Sequence, residues 1–245
     1  MIVVVGSRHD PVASALCERW PSAGLCSAED LGAPGWSWSY PETGHRTWQV
    51  GGRAVADAEV TGVFVRRSAV YPEELSHFHP EDRAFQAAEL HAFLTFVLAT
   101  SAARVVNPVF DGAFGEEAIG GERITAAARA CGLEVAPFRV SPEGFVSQAR
   151  EIVEVEVVAD QAFGDLGPMD RKALAIAADT GIEWGVFRFD SDGRFVAATA
   201  GRPPGDAAAD ALGRRLATPR EASHSPVVAP TPPETLSSRA GRSRS

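Results

Sequence analysis

The sequence predicts an α/β protein, in which an N-terminal α/β domain over residues 1–110 precedes a reduced α+β domain over residues 111–217. Three patterns predict this class. A β-branched run at residues 1–6 ends in a turn and leads into a helical pattern, the usual opening of an α/β layer. A second buried run, at residues 60–66, precedes a long amphipathic helix and a short strand. Residues 151–160 then alternate apolar and acidic side chains, as a strand with one solvated face does.

Local signals define the elements of the first domain. A helix begins near Asp10 and has Pro11 in its first turn. The sequence TWQVGGRAV predicts a hairpin, because the pair Gly51-Gly52 suits a tight turn. The helix over residues 82–99 has an apolar side, which predicts inward packing of Phe85, Ala88, Leu90, Phe93, Leu94 and Val97.

The second domain contains three predicted helices, over residues 119–131, 168–180 and 206–217. Glycines stop the first two helices, at Gly132 and Gly181. Strands are predicted in GLEVAPFRV and in a hairpin that turns at Asp192-Gly193, whereas residues 145–151 are predicted as a short helix or turn. Residues 218–245 are rich in Pro, Ser, Arg and Ala, which predicts a disordered tail that folding does not require.

The composition limits the classes of function. The chain of 245 residues has 45% hydrophobic and 22% charged residues, which is ordinary for a soluble globular protein. Its net charge of −9 argues against a nucleic-acid partner, because phosphate binding needs clustered cations. The three cysteines are far apart, and no segment has the length and apolarity of a signal peptide or membrane span. We therefore expect a cytoplasmic protein that does not contact a membrane.

A series of motifs in the chain points to a known family. VFVRR ends a strand in Arg66 and Arg67, Glu89 lies on the following helix, and Asn107 ends the next strand in an Asn-Pro step. ACGLEVAPFRV and GIEWGVFRFD come later. In this order and spacing, the motifs resemble those of ATP-grasp ligases, in particular the ligases that modify microviridin-type peptides. The resemblance covers about residues 1–217 and implies a pre-ATP-grasp-like domain followed by a shortened ATP-grasp-like domain.

The sequence departs from the family pattern where ATP and magnesium would bind. Gly121 stands at the helix position where the family has a lysine for the nucleotide phosphates, and Lys172 is the only lysine in the chain. The second phosphate lysine and the glycine-rich lid are missing. Ala198 and Ala200 occupy the positions of a magnesium-binding Glu-x-Asn pair. Because magnesium in such sites needs oxygen ligands together with the phosphates, we expect neither a cofactor nor a metal.

Arg66, Arg67, Glu89 and Asn107 are the candidate substrate-binding residues, and no residue is assigned a catalytic role. Neighbouring residues of a strand face opposite sides, so one arginine can enter a cleft and bind a carboxylate. Glu89 lies on an apolar helix and needs a cationic partner, for which Arg67 is the first candidate. Two interpretations stay open, an internal ion pair of Arg67 with Glu89 and a shared site for a substrate. Asn107 either fixes a turn or contacts a ligand.

Two classes of function are compatible with these patterns. The first is a degenerate ATP-grasp-fold subunit of a peptide-modification pathway, which binds a precursor peptide or a full-length ATP-grasp ligase without ordinary ligation. The second is an enzyme of changed chemistry, either ATP-independent or an atypical ligase, that uses the retained cleft on a peptide or small carboxylate. We favour the first class. The sequence does not decide between a monomer and a homodimer.

Overall fold

The computed structural model describes residues 1–40, 45–107, 109, 114, 121–141, 144–147, 151–164 and 167–219. The strands in these ranges are β1 (Ile2–Val5), β2 (Ala23–Cys26), β3 (Thr47–Val50), β4 (Arg53–Ala56), β5 (Gly62–Val65), β6 (Arg104–Val106), β7 (Phe138–Ser141), β8 (Gly144–Ser147), β9 (Ile152–Val158), β10 (Gln161–Phe163), β11 (Trp184–Asp190) and β12 (Phe195–Thr199). The helices are α1 (Pro11–Arg19), α2 (Ala28–Leu31), α3 (Arg83–Thr100), α4 (Gly121–Ala130), α5 (Pro168–Thr180) and α6 (Asp206–Ala217).

A parallel sheet of four strands, in the order β2-β1-β5-β6, forms the centre of the N-terminal half. Both of its faces are covered, which explains why β1 and β5 are continuous apolar runs. Val4 and Phe64 belong to the core on one face, and Val3 and Val63 belong to the core on the other. Helices α2 and α3 and the β3–β4 hairpin contribute to the second core. The predicted α/β class is confirmed.

An antiparallel sheet in the order β10-β9-β11-β12 forms the centre of the C-terminal half. Val155 of β9 pairs with Phe187 of β11, and both side chains lie in the core with residues of α5 such as Ile176. The acidic side chains of β9 lie on the opposite face, as the alternation predicted. Gly132 and Gly181 have φ values of 75° and 69°, which agrees with the predicted helix ends.

The two halves share one core. The rings of Phe64 and Trp184 pack edge to face with centroids 5.2 Å apart, and Trp20 Nε1 donates to the carbonyl of Ala209 over 2.9 Å. A Cβ atom on Gly62 would lie 2.6 Å from the backbone oxygen of Leu216, so glycine is needed where α6 crosses β5. The predicted division near residue 110 stays a prediction, and the hydrophobic core extends across it.

Several local predictions need correction. Residues 144–147 form a strand, β8, paired with β7, so the helix or turn predicted from residue 145 is wrong there. The prediction that Phe85 and Ala88 pack inward is wrong, because the inward side of α3 consists of Ala87, Leu94, Val97 and Leu98. The sequence patterns missed β2, α2 and β10, which are short elements of three or four residues. Nearly all of the predicted tail lies outside the described residues. None of the helices in the described ranges is long and apolar enough to cross a membrane.

Candidate functional site

The carboxyl ends of β1 and β5 meet where the strand order of the parallel sheet reverses, a place where α/β proteins commonly bind ligands. Arg66 follows β5 there, and its Nε lies 3.3 Å from an Asp10 carboxylate oxygen. Asp10 also caps α1, because its other oxygen accepts the backbone N–H of Val12 over 2.9 Å. Arg66 Nη1 donates to the carbonyls of Gly201 and Arg202, both at 3.3 Å. Arg66 therefore joins the sheet edge to the C-terminal half.

Arg67 lies on the opposite face of the sheet edge, as strand alternation predicted. Its side chain is only 4% exposed, its Nε donates to Ala69 over 2.8 Å, and its Nη2 forms an ion pair with Glu74. Its Nη1 is buried and has no hydrogen-bond partner among the residues that the structure describes.

The predicted ion pair between Arg67 and Glu89 is wrong. Glu89 lies on the exposed face of α3, because Ala87, Leu94, Val97 and Leu98 take the inward face. The 3₁₀ turn at Pro72–Glu74 folds back over the end of β5 and supplies the carboxylate instead. Glu74 is only seven residues from Arg67 in the sequence, and its acidic loop was the available signal for this pair.

Asn107 joins the two halves of the molecule. Its Oδ1 accepts the backbone N–H groups of Glu183 and Trp184, each over 3.1 Å, and its Nδ2 donates to the carbonyl of Trp184 over 2.9 Å. The residue is buried and has a φ of 62°, a left-handed conformation that asparagine tolerates better than most residues. Nearby, Glu183 accepts from Arg104 at 2.8 Å and from Arg215 at 3.2 Å. Asn107 thus fixes a junction rather than an isolated turn.

A charged cluster on the antiparallel sheet was missed by sequence reasoning. Glu154 of β9 pairs across the sheet with Arg188 of β11 at 3.0 Å and also with Arg202. Burial raises the pKa of the Glu154 carboxyl, but the hydrogen bonds from Arg188 and Arg202 outweigh it, and the pKa is lowered. Glu156, on the same face, accepts from Trp184 Nε1 over 3.0 Å. The acidic alternation showed which side of β9 was polar, but the partners depend on the register of strands distant in sequence.

The residues at the positions expected for the magnesium ligands, Ala198 and Ala200, and the nearby Asp190 do not fit that role. Asp190 accepts the backbone N–H groups of Asp192 and Arg194 and the Nε of Arg194, the last over 2.7 Å. Ala198 packs against the core and Ala200 is buried in it, so neither offers an oxygen ligand from its side chain. Among the residues that the structure describes, no group of three or more His, Cys, Asp and Glu side chains could hold a metal ion.

The side chain of Lys172 also forms a hydrogen bond within the protein. Its ammonium group donates to the carbonyl of Gly193 over 2.6 Å and so ties α5 to the turn between β11 and β12. It is the only lysine of the chain. A phosphate-binding role would require Lys172 to leave this contact.

An apolar groove of about 540 Å³ lies between α1 and the chain that leads into α6. Val12 and Leu16 line one wall, and Pro203, Pro204 and Ala209 line the other. The Pro203–Pro204 wall directly follows the carbonyls that accept from Arg66. The walls of this groove are apolar, and its rim is charged, because Arg19 forms ion pairs there with Asp206 and Asp210.

Known structures with the same arrangement of strands and helices identify the fold. The chain matches the macrocyclase MdnC bound with precursor peptide MdnA, from Microcystis aeruginosa MRC, with a TM-score of 0.67 and 12% identity over 88% of this chain and 99% of that chain. The ATP-grasp ligase PsnB, complexed with a phosphomimetic variant of minimal precursor, Mg and ADP, matches with a TM-score of 0.62 and 16% identity, over 87% and 98%. The chain has the ATP-grasp ligase fold.

A third structure agrees with this assignment. A RiPP-associated ATP-grasp ligase of Chryseobacterium gregarium, in complex with ADP and a leader and core peptide, matches with a TM-score of 0.61 and 8% identity, over 88% of this chain and 96% of that chain. The fold expected from the motif order is thereby confirmed. Neither protein-family models nor curated proteins match the sequence.

Proposed function

We propose that this protein is a binding subunit of a peptide-modification pathway, which retains the ATP-grasp fold without ordinary ATP-dependent ligation. Its partner is a precursor peptide or a full-length ATP-grasp ligase. All three similar structures described above hold a precursor or peptide, namely MdnC with precursor peptide MdnA, PsnB with a variant of minimal precursor, and the Chryseobacterium gregarium ligase with a leader and core peptide. These likenesses support a peptide partner for this chain.

One observation carries the non-catalytic part of the proposal. The two positions at which the ATP-grasp pattern places the magnesium-binding Glu-x-Asn pair hold Ala198 and Ala200, and Asp190 is the nearby carboxylate. The carboxylate of Asp190 is 4% exposed and bound by Arg194, and the two alanines have no donor atoms in their side chains. Phosphoryl transfer depends on metal ions that bridge the phosphates and neutralise their charge. A site whose only carboxylate is already paired with an arginine offers too few oxygen ligands to bind magnesium for that reaction.

The groove between α1 and Pro203–Pro204 is the proposed contact surface for the peptide. Its walls are predominantly apolar, and its volume of about 540 Å³ is that of a site for several side chains. Of the four residues predicted to contact a substrate, Glu89 is exposed, and Arg66, Arg67 and Asn107 have partners within the protein. Their roles in binding stay predictions.

The nucleotide part is tested by calorimetric titration of the full chain with Mg·ATP. We expect a dissociation constant weaker than about 1 mM, which corresponds to a binding free energy smaller than about 4 kcal/mol. Micromolar binding that requires magnesium and is lost in Asp190→Asn would contradict the proposal and favour the enzyme of changed chemistry.

The peptide part is tested with fluorescently labelled precursor peptides encoded beside this gene. We expect binding that Ala15→Trp abolishes, because Ala15 is exposed on α1 and lines the groove. Ser14→Trp is the matched control, since Ser14 is an exposed neighbour on the same helix that does not line the groove. Equal binding by both variants would place the peptide elsewhere. If neither a peptide nor a neighbouring ligase binds the wild type, the proposed function is wrong.

A further inference from the structure

One wall of the apolar groove is a segment without helix or strand structure, residues 201–205, which contains two prolines that line the groove and leads into α6. We call it the wall segment. Its Arg202 forms an ion pair with Glu154, and the backbone N–H of its Gly205 donates to Glu156 over 3.1 Å. These contacts attach the wall segment to the antiparallel sheet, whereas α1 forms the opposite wall of the groove.

The side chain of Arg66 connects the wall segment to α1. Its Nε lies 3.3 Å from Oδ2 of Asp10. Its Nη1 donates to the carbonyls of Gly201 and Arg202, each over 3.3 Å. Asp10 caps α1, because its Oδ1 accepts the backbone N–H of Val12. One guanidinium group thus contacts the N-terminal end of one wall and the backbone of the other.

These contacts are buried and lie outside the groove itself. The Arg66 side chain is only 9% exposed, and it does not line the groove. Each of the three distances is long for an N–H···O hydrogen bond, so the walls are held by the three contacts together rather than by one strong bond. A guanidinium group suits this arrangement, because its N–H donors form a planar fork with fixed directions.

A second arginine connects the two walls at the other end of α1. Arg19 forms ion pairs with Asp206 and Asp210 of α6. The nine residues of α1 span about 14 Å, so the groove has an arginine connection at each end of this length. The ion pairs of Arg19 are largely exposed to solvent, where such pairs contribute little, whereas those of Arg66 are shielded from it.

We propose that Arg66 is a positioning residue for the groove, which holds the two walls at a fixed separation and so sets the affinity for the peptide without touching it. This role rests on the proposed function, since the groove is the proposed peptide site. A wall that is already in place loses little conformational freedom when a ligand binds, so preorganisation raises the affinity. Without Arg66, binding has to order the wall segment first, and the affinity should fall although the protein stays folded.

Binding of the neutral apolar dye Nile red to the full chain, followed by dye fluorescence, reports on the groove without any peptide. Ala15→Trp places a large side chain in the groove and so identifies the part of the dye binding that occurs there. We expect Arg66→Met to weaken this part by about tenfold, because methionine fills space but offers no donor to hold the wall segment. Arg66→Lys should recover part of the loss, since an ammonium group can pair with Asp10 but lacks the planar fork.

Two further variants separate positioning from folding. Asp10→Asn retains the oxygen that caps α1 and removes only the ion pair with Arg66, so we expect dye binding about threefold weaker. Arg8→Met is the matched control, because it makes the same change of charge at an exposed arginine that pairs with Glu29 and does not line the groove. Urea unfolding shows that each variant is folded under the binding conditions. A residue that only stabilised the fold would shift the unfolding transition and leave the affinity of the folded protein unchanged.

Weaker dye binding by folded Arg66→Met, with Arg66→Lys intermediate and Arg8→Met unchanged, supports the positioning role. Wild-type affinity in folded Arg66→Met overturns it, and so does a wild type whose dye binding Ala15→Trp leaves intact. If Arg66→Met does not fold, Asp10→Asn decides, and wild-type affinity in that variant overturns the role.

Titration of the same variants with labelled precursor peptide separates this inference from the proposed function. Peptide affinities that follow the order of the dye affinities support both. If no peptide binds the wild type while the dye affinities follow the expected order, the proposed function fails and the role of Arg66 in holding the groove stands. If peptide binds wild type and folded Arg66→Met equally well, the positioning role is overturned and the peptide-binding function stands.

Discussion

Replacing Asn107 should weaken the junction between the two halves more than any exposed substitution. Its amide forms three hydrogen bonds with the backbone of Glu183 and Trp184, and its backbone has a φ of 62°. Two effects can therefore be separated. Asn107→Gly removes the hydrogen bonds and keeps an accessible left-handed conformation, whereas Asn107→Ala removes the hydrogen bonds and adds the strain of a Cβ.

The expected magnitudes follow from these contacts. Each lost hydrogen bond to a buried backbone group costs about 1 kcal/mol, so Asn107→Gly should lower the free energy of unfolding by about 3 kcal/mol. Asn107→Ala should lower it by about 4 kcal/mol, because alanine in the left-handed region costs about 1 kcal/mol more than glycine. Ser22 also has a positive φ, of 61°, and is exposed. Ser22→Gly is therefore the control for the conformational effect alone, and it should raise the free energy of unfolding by about 1 kcal/mol at most.

Urea unfolding followed by tryptophan fluorescence measures these differences, since Trp184 lies at the junction. If Asn107→Gly unfolds like the wild type, the three hydrogen bonds do not hold the halves together and the reasoning fails.

Three further predictions concern the ion pairs and the tail. Arg67→Ala should lower the free energy of unfolding by about 3–5 kcal/mol, because it leaves the Glu74 carboxylate without its partner. A double-mutant cycle with Glu74→Ala should show a coupling energy of about 1–3 kcal/mol. Glu89→Ala is the control and should change the free energy of unfolding by less than about 0.5 kcal/mol. Burial raises the pKa of Asp190, but hydrogen bonds from Arg194 lower it overall, so its stabilising effect should be complete above its unfolded pKa of about 3.9 and lost as the pH falls through the folded value. Asp190→Asn should flatten that acid limb in urea titrations at several pH values. Truncation after Ala217 should leave the melting temperature within a few degrees, and a large drop would show that the tail packs on the protein.

The sequence was sufficient to predict the fold where local pattern and tertiary burial agree. The buried run of β1 and the helix α6 lie where the sequence pattern placed them. Elements such as β2 were missed because they are only partly buried and owe their conformation to the neighbouring β1. The face of α3 was misjudged for a physical reason. Its residues are apolar on nearly all sides, so periodicity alone could not show which side meets the core.

The candidate site was harder to predict because its partners are distant in sequence. The resemblance placed Arg67 and Glu89 on neighbouring elements, but a turn seven residues from Arg67 supplied the nearer carboxylate. Asn107 was recognised as a turn residue, while its contacts with Trp184, 77 residues away, depend on how the two sheets pack. That Ala198 and Ala200 offer no side-chain oxygen, by contrast, follows from residue identity alone, since this holds in any fold.

The pairing of the basic residues gives a physical reason to expect weak nucleotide binding. Arg66 is paired with Asp10, Arg188 and Arg202 are both paired with Glu154, and Lys172 donates to a carbonyl. A triphosphate that recruited one of the paired arginines would leave its carboxylate facing the phosphates. Two like charges about 4 Å apart repel by about 1 kcal/mol in water and about 4 kcal/mol near a protein surface. Such a penalty lowers affinity by about fivefold to a thousandfold, enough to turn a micromolar nucleotide site into a millimolar one. These ion pairs lie within each half, and Arg66 also donates to the carbonyls of Gly201 and Arg202 in the C-terminal half, so a binding subunit can retain these contacts when no phosphate has to be bound.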